Sequence, residues 1–210
     1  VSQSVVKECV DGIKTTEVAT SSETVVTAIV KASVAGVFKA ASSTAAVAEA
    51  TAVAAKTAFT SYSALAPTQD TTSQIDATKT LFSAAVVAFD SLPGWNLDVM
   101  TAVTTSLGTK ALEAVKDSGL SGDSGAFAIT QVTVGIFDQI STMPSINNLG
   151  ADQTALQTSA KALADQTKEM IATSFPTATT DYSQSIDQAA QKATTNTSKP
   201  NTPPNISLLA

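Results

Sequence analysis

The sequence predicts an all-α protein, an antiparallel bundle of about six to seven amphipathic helices. Three observations lead there. Apolar residues recur at spacings of three and four through successive segments. Pro, Gly and Asn fall between those segments, where helices stop and start. No strand–helix alternation of the kind that builds a parallel sheet is visible.

Taken in order, residues 3–14 carry Val6, Val10 and Ile13 on one stripe, and Gly12 blurs the end of that segment. Residues 22–39 repeat the pattern with Val26, Ile29, Val30, Val37 and Phe38. Residues 42–65 are dense in alanine, the strongest helix former, with Val47, Ala50, Ala54, Phe59 and Tyr62 on overlapping faces. Pro67 closes that helix, and Thr72 or Ser73 is expected to cap the next. Residues 73–92 place Ile75, Thr78, Phe82, Val86 and Phe89 on one face before the SLPG turn. Asn96 is the expected cap of a helix to about residue 118, with Leu97, Met100, Val103, Leu107 and Ala111 or Ala114 inward.

The stretch DSGLSGDSG, residues 117–125, reads as a joint. Gly119 ends one helix and Ser121 or Asp123 caps the next. Ile129, Val132, Ile136 and Ile140 then follow a helical period, although TQVTVGIF alone also fits a strand. The flanking helices favour helix, and Gly135 suits a close crossing. TMPSINNLG is a loop, after which Asp152 can cap a helix to about residue 174. In it Leu156, Leu163 and Met170 recur every seven, with Ala160 and Ile171 beside them, as in a bundle seam. Pro176 breaks that helix. A last one covers about residues 178–193, with Tyr182, Ile186 and Ala190 inward. The expected organisation is an N-terminal helical segment, 1–66, packing on or extending a bundle domain, 71–193. A flexible Pro/Thr/Asn-rich tail, 194–210, follows.

Composition narrows the function. Apolar residues make up 43% of the 210 and aromatics only 5%. Ala and Val therefore build the core, and close backbone approach must replace large anchors. Charge is sparse at 14%, every basic residue is lysine, histidine is absent, and the net charge is −6. Nucleic acid is an improbable partner for such a chain, and an anionic membrane surface is disfavoured. No apolar run reaches the length that spans a bilayer. Ser and Thr occupy polar positions where charged residues usually stand. That neutral, hydroxyl-rich surface suggests a secreted or extracellular protein, with wall association or fibres as its settings. The chain opens at VSQSVVKECV, without an initiator Met, a basic region or an apolar leader, and so reads as a mature fragment. Asn196 and Asn205 head glycosylation sequons in the tail.

Catalytic chemistry finds little footing. Without histidine there is no Ser-His-Asp or Cys-His site, no His–Cys zinc site and no His-based iron site. No metal and no cofactor is expected. GLSGDSG lacks the lysine of a phosphate loop. Glu113, Asp117 and Asp123 flank the joint as candidate paired carboxylates. Their plainer assignment is an end-of-helix residue at Asp117 and a cap at Asp123. Lys110, Lys116, Lys161 and Lys168 read as solvated faces. Cys9, the one cysteine, is either buried or available for an intermolecular disulfide. Candidate contacts to an apolar ligand are Phe82, Val86, Phe89, Trp95, Met100, Phe127 and Ile136, with core packing as the competing role.

SQIDATKTLFSAAVVAFDSLPG, then KDSGLSGDSGAFAIT, then ALADQTKEMIATSFP follow one another within residues 71–193. Together they resemble the fungal hydrophobic surface-binding protein A family, which includes cell-wall mannoproteins. That resemblance implies a secreted helical bundle that binds hydrophobic surfaces or lipid without catalysis. It carries over no functional residue. SGDSGAFAITQVTVGIFDQI and INNLGADQTALQTSAKAL are also similar to repetitive silk modules of spiders. The expected function is therefore non-catalytic binding of an apolar small molecule, a lipid or a hydrophobic surface. The alternative is a self-assembling structural module, a homo-oligomer of silk-like or wall type.

Overall fold

The computed structural model describes residues 7–8, 22–65, 70–88, 96–143 and 153–195. Among the described residues the chain is an all-α bundle of seven long helices, with no strand. They are α1 (Ser22–Ala40), α2 (Thr44–Leu65), α3 (Thr71–Val87) and α4 (Leu97–Asp117), followed by α5 (Gly122–Thr142), α6 (Gln153–Ser174) and α7 (Ser183–Thr195). The strand alternative for TQVTVGIF fails. Ile129, Val132, Ile136 and Ile140 share the buried face of α5, as a period near 3.6 requires.

The short joints turn the chain back on itself, so α1–α2, α4–α5 and α6–α7 pack as consecutive neighbours. Helix α5 is central and touches α3, α4, α6 and α7, while α2 packs most extensively on α4. One apolar cluster draws on all seven helices. Its largest fully buried side chains include Phe59, Phe82 and Phe137, and alanine and valine fill most of the rest.

Several element ends follow from local chemistry. Asn96 is extended and accepts from Val99 N–H at 3.0 Å, the expected cap of α4. The cap of α3 is Asp70, whose Oδ1 accepts from Ser73 N–H at 2.8 Å. Thr72 and Ser73, expected in that role, already lie in the first turn. The cap must be the last extended residue, and that residue is Asp70. Gly119, at φ +81°, leaves α4 in the left-handed conformation that ends helices, as expected. The last helix starts later than expected, at Ser183, where Asp181 accepts from its N–H at 2.9 Å.

Small residues set the spacing. A Cβ on Gly135 would overlap Ser83 Oγ and stand 3.0 Å from Lys79 Cγ, so α3 and α5 cross closely there. A Cβ on Gly125 would overlap the Phe175 ring, which sits on the first turn of α5.

Threonine departs from the surface role that composition suggested. Thr51, Thr78, Thr104, Thr130, Thr133, Thr167 and Thr194 are buried. Most return their hydroxyl to the carbonyl three or four residues back, as Thr130 does to Ala126 and Thr167 to Leu163, both at 2.9 Å. Satisfied in this way, threonine packs as a near-isostere of valine. Some stripe positions also move. In α1, Val34 is fully buried, whereas Ile29 and Phe38 pack only at its edge. In α6, Met170 is half-buried at the end of the Leu156–Leu163 seam.

Candidate functional site

Of the apolar candidates, Phe82 and Val86 on α3, Met100 on α4 and Ile136 on α5 lie within the single core cluster. None is more than 2% exposed. They meet solvent or a ligand only if helices separate. Phe89 and Trp95 lie outside the described residues, as do Cys9, Asn196 and Asn205. Phe127 behaves differently. It sits on the outer side of α5 and is 39% exposed. Its ring centroid lies 5.8 Å from that of Tyr182, with the planes tilted by 40°. Such a tilted pair keeps both rings in contact while one face of Phe127 stays wet.

The end of the bundle around this pair is built by the α4–α5 joint and the connection before α7. Gly122, at φ +54°, opens α5 beside Thr177, whose Oγ1 would be 3.5 Å from an added Cβ. Phe175, buried, closes the floor against Gly125. Ser121 or Asp123 was expected to cap α5, and Ser121 is the one at that position, without a side-chain bond. Asp123 reaches across instead and accepts from Thr179 N–H and Thr180 N–H, both at 2.9 Å, and from Thr179 Oγ1 at 2.8 Å. Two non-helical N–H groups need an acceptor there, and a carboxylate already inside the first turn can supply it. The Thr180 amide, then the Thr179 hydroxyl, hold the Asp123 carboxyl below its ordinary pKa. No sequence signal linked residues 56 positions apart in this way.

The charged residues also pair over distance. Lys56 on α2 meets Glu113 and Asp117 on α4, each at 2.9 Å. Lys110 meets Glu113 at 3.0 Å and Glu49 at 3.4 Å. The result is an alternating chain, Asp117–Lys56–Glu113–Lys110–Glu49, that ties α2 to α4. On the other side Lys168 joins Asp165 and Asp187, at 2.9 and 2.8 Å, and Lys161 also pairs with Asp165. Lys110 and Lys168 are thus bridging residues rather than merely solvated ones, Lys161 stays on a solvated face with one partner a turn away, and Asp117 is paired as well. Sequence reasoning missed this because the acids lie on other helices or in another turn. Lys116 is exposed, as expected.

These contacts decide what the carboxylates can do. Hydrogen bonds from Lys56 and then Lys110 hold the Glu113 carboxyl low. A general acid needs the opposite shift. The groove over this cluster, about 430 Å³, is lined by Lys56, Thr57, Thr60, Lys110, Glu113 and Asp117 among others. A second, of about 330 Å³, runs between α6 and α7 over Ala160, Ala164 and Ala190. Among the described residues, no three His, Cys, Asp or Glu side chains cluster where they could hold a metal ion. No described helix is long and apolar enough to cross a membrane. No protein-family model matches the chain, and neither a characterised protein nor a solved structure matches it.

Proposed function

We propose that this chain is a non-catalytic, secreted helical protein that binds hydrophobic surfaces or lipid-like apolar ligands. The observation that carries this reading is the exposed Phe127, set against Tyr182 at the end of the bundle where α4 turns into α5. A large apolar ring held outward is a contact point for another apolar surface. Two glycines with positive φ, Gly119 and Gly122, flank the joint beside it. They give the α4–α5 pair a pivot. Parting there would bring the buried Phe82, Val86, Met100 and Ile136 toward the adsorbed surface. The neutral Ser/Thr exterior and the family resemblance over residues 71–193 support the same reading.

Adsorption to polystyrene beads and to phosphatidylcholine vesicles tests it. Phe127 exposes 39% of its surface, about 80 Å² of an aromatic residue. At about 25 cal/mol per Å², removing it from water contributes about 2 kcal/mol, roughly a thirtyfold change in affinity. F127A is expected to lose affinity on that scale while its far-ultraviolet circular dichroism still shows the folded helical bundle at the assay temperature. Absence of saturable adsorption by the wild-type chain refutes the proposal. So does equal adsorption by F127A, or light scattering that shows Phe127 to be consumed in self-association.

A further inference from the structure

We propose that the groove between α1, α3 and α5 binds a small oxyanion of the phosphate type. The groove measures about 510 Å³. Two helices each present a hydroxyl and a lysine one turn apart to it: Thr27 and Lys31 on α1, and Lys79 and Ser83 on α3. Four donors of two kinds thus converge from separate elements, which suits an acceptor-only ligand with several oxygens.

The state of these groups points to a ligand. Ser83 is 6% exposed, and neither its Oγ nor Thr27 Oγ1 has a hydrogen-bond partner in the protein. That is unusual in this chain, where Thr78, Thr101, Thr130, Thr158 and Thr167 all bond to their own helix. A buried hydroxyl left without a partner is costly and calls for an explanation. Thr51 and Ser63 share that condition but line none of the three grooves. The lysines are available as well. Lys31 forms no ion pair among the described residues, and Lys79 makes only a 3.5 Å contact with Gln131 Oε1. The aliphatic stem of Lys79 lies over Gly135 beside Ser83. A small outward swing of that arm would open Ser83 to the groove and carry the ammonium onto the bound anion. Asp138 is the acid of the groove, and Lys192 holds its Oδ1 at 2.8 Å. The lysines therefore keep a local positive balance within a chain of net charge −6. That overall charge repels an extended anionic bilayer more strongly than a single small anion, which favours a soluble phosphate over a lipid headgroup.

The test is a heteronuclear NMR titration of the full chain with inorganic phosphate, run beside flotation with phosphatidylcholine vesicles with and without phosphatidic acid. Saturable shifts at the amides of residues 27–31, 79–83 and 135–139 are expected, lost in K31A/K79A. S83A should bind about tenfold more weakly, the effect of one charge-assisted hydrogen bond. S83A removes an unpartnered buried hydroxyl, so its melting temperature should hold or rise, and lost binding cannot be lost folding. Phosphate shifts assign a soluble ligand. S83A-sensitive flotation on phosphatidic acid without phosphate shifts assigns a headgroup. Neither response, or S83A binding equal to wild type, overturns the site. F127A keeps this test separate from the apolar-surface reading, because Phe127 does not line the groove.

Discussion

Replacing Gly125 with alanine sets two effects of opposite sign against each other. Within a helix alanine is favoured over glycine by about 1 kcal/mol, and by less in the first turn, where Gly125 stands. Against this, the new Cβ would fall 2.7 Å from Phe175 Cδ1 and 2.8 Å from its Cζ, with Cε1 nearer still. Gly125 is buried and Phe175 is 4% exposed, so the ring cannot move without displacing core neighbours. Overpacking of this kind costs about 1–3 kcal/mol. The net is a loss of about 1–2 kcal/mol, or about 2–8 °C in melting temperature for a domain of this size. Gly36 is the control. It is exposed within α1, and an added Cβ meets nothing within 4 Å. G36A keeps the propensity gain alone and should raise the melting temperature by about 2–4 °C.

Thermal unfolding followed by far-ultraviolet circular dichroism separates these cases. A double-mutant cycle adds the decisive arm. F175A removes the whole ring, and in that background G125A should lose most of its penalty, with a coupling of about 1–2 kcal/mol. If G125A stabilises as much as G36A does, or F175A brings no relief, then the close seat of Phe175 on α5 is wrong.

The remaining predictions concern charge and hydroxyls. Asp70, Glu113, Asp123, Asp165 and Asp181 have lowered pKa values, so their stabilisation is complete above the ordinary carboxylate range and is lost as pH falls below about 4. Lys56, Lys110 and Lys168 are raised, so theirs is complete below the ordinary lysine value and is lost as pH climbs past about 10.4. With no histidine in the chain, the melting temperature should be flat from about pH 5.5 to 7, below the range of thiol and α-amino groups, and a slope there contradicts the assignment. Thr133 and Thr167 share a buried hydroxyl contact of 3.1 Å between α5 and α6. T133V/T167V should be within about 1 kcal/mol of wild type, since both partners become apolar at constant shape, and a large loss in denaturant unfolding counts against it. D123A should speed hydrogen exchange at the Thr179 and Thr180 amides, which now donate to that carboxylate; unchanged protection would mean that the contact is not held in solution.

What could be read from the sequence was what depends on near neighbours. The cap at Asn96 was legible because its oxygen serves an N–H three residues on. The buried face of α5 was legible because four β-branched residues keep one period. Asp70 was missed because Thr72 and Ser73 fit the same rule, and only the backbone shows which residue is still extended. The cross-helix bonds of Asp123 and Asp117 were missed for another reason. Their partners lie 56 to 61 positions away, and nothing local announces them. Among the apolar candidates, hydrophobicity alone put Phe127 beside Phe82. Only tertiary packing divides them, one outward and the other at 0% exposure.

The same limit has a physical root that bears on function. In most bundles large aliphatic residues mark the inner face and charges mark the outer one. Here Ala52, Ala54, Ala55 and Ala58 lie on the inner side of α2, and Thr51 beside them is fully buried. Elsewhere Thr78, Thr130 and Thr167 are buried with their hydroxyls returned to their own helices, so they need no partner across the interface. An interface of this composition removes little apolar area per residue, and the hydroxyls of Thr78, Thr130 and Thr167 stay satisfied when it opens. Separating two such helices therefore costs less than separating two leucine-rich ones. An apolar surface could offset that cost by receiving Phe82, Ile136 and their neighbours directly. The weak contrast between faces that obscures the sequence is thus the property that would let the folded bundle exchange internal contacts for external ones, starting where Phe127 already faces outward.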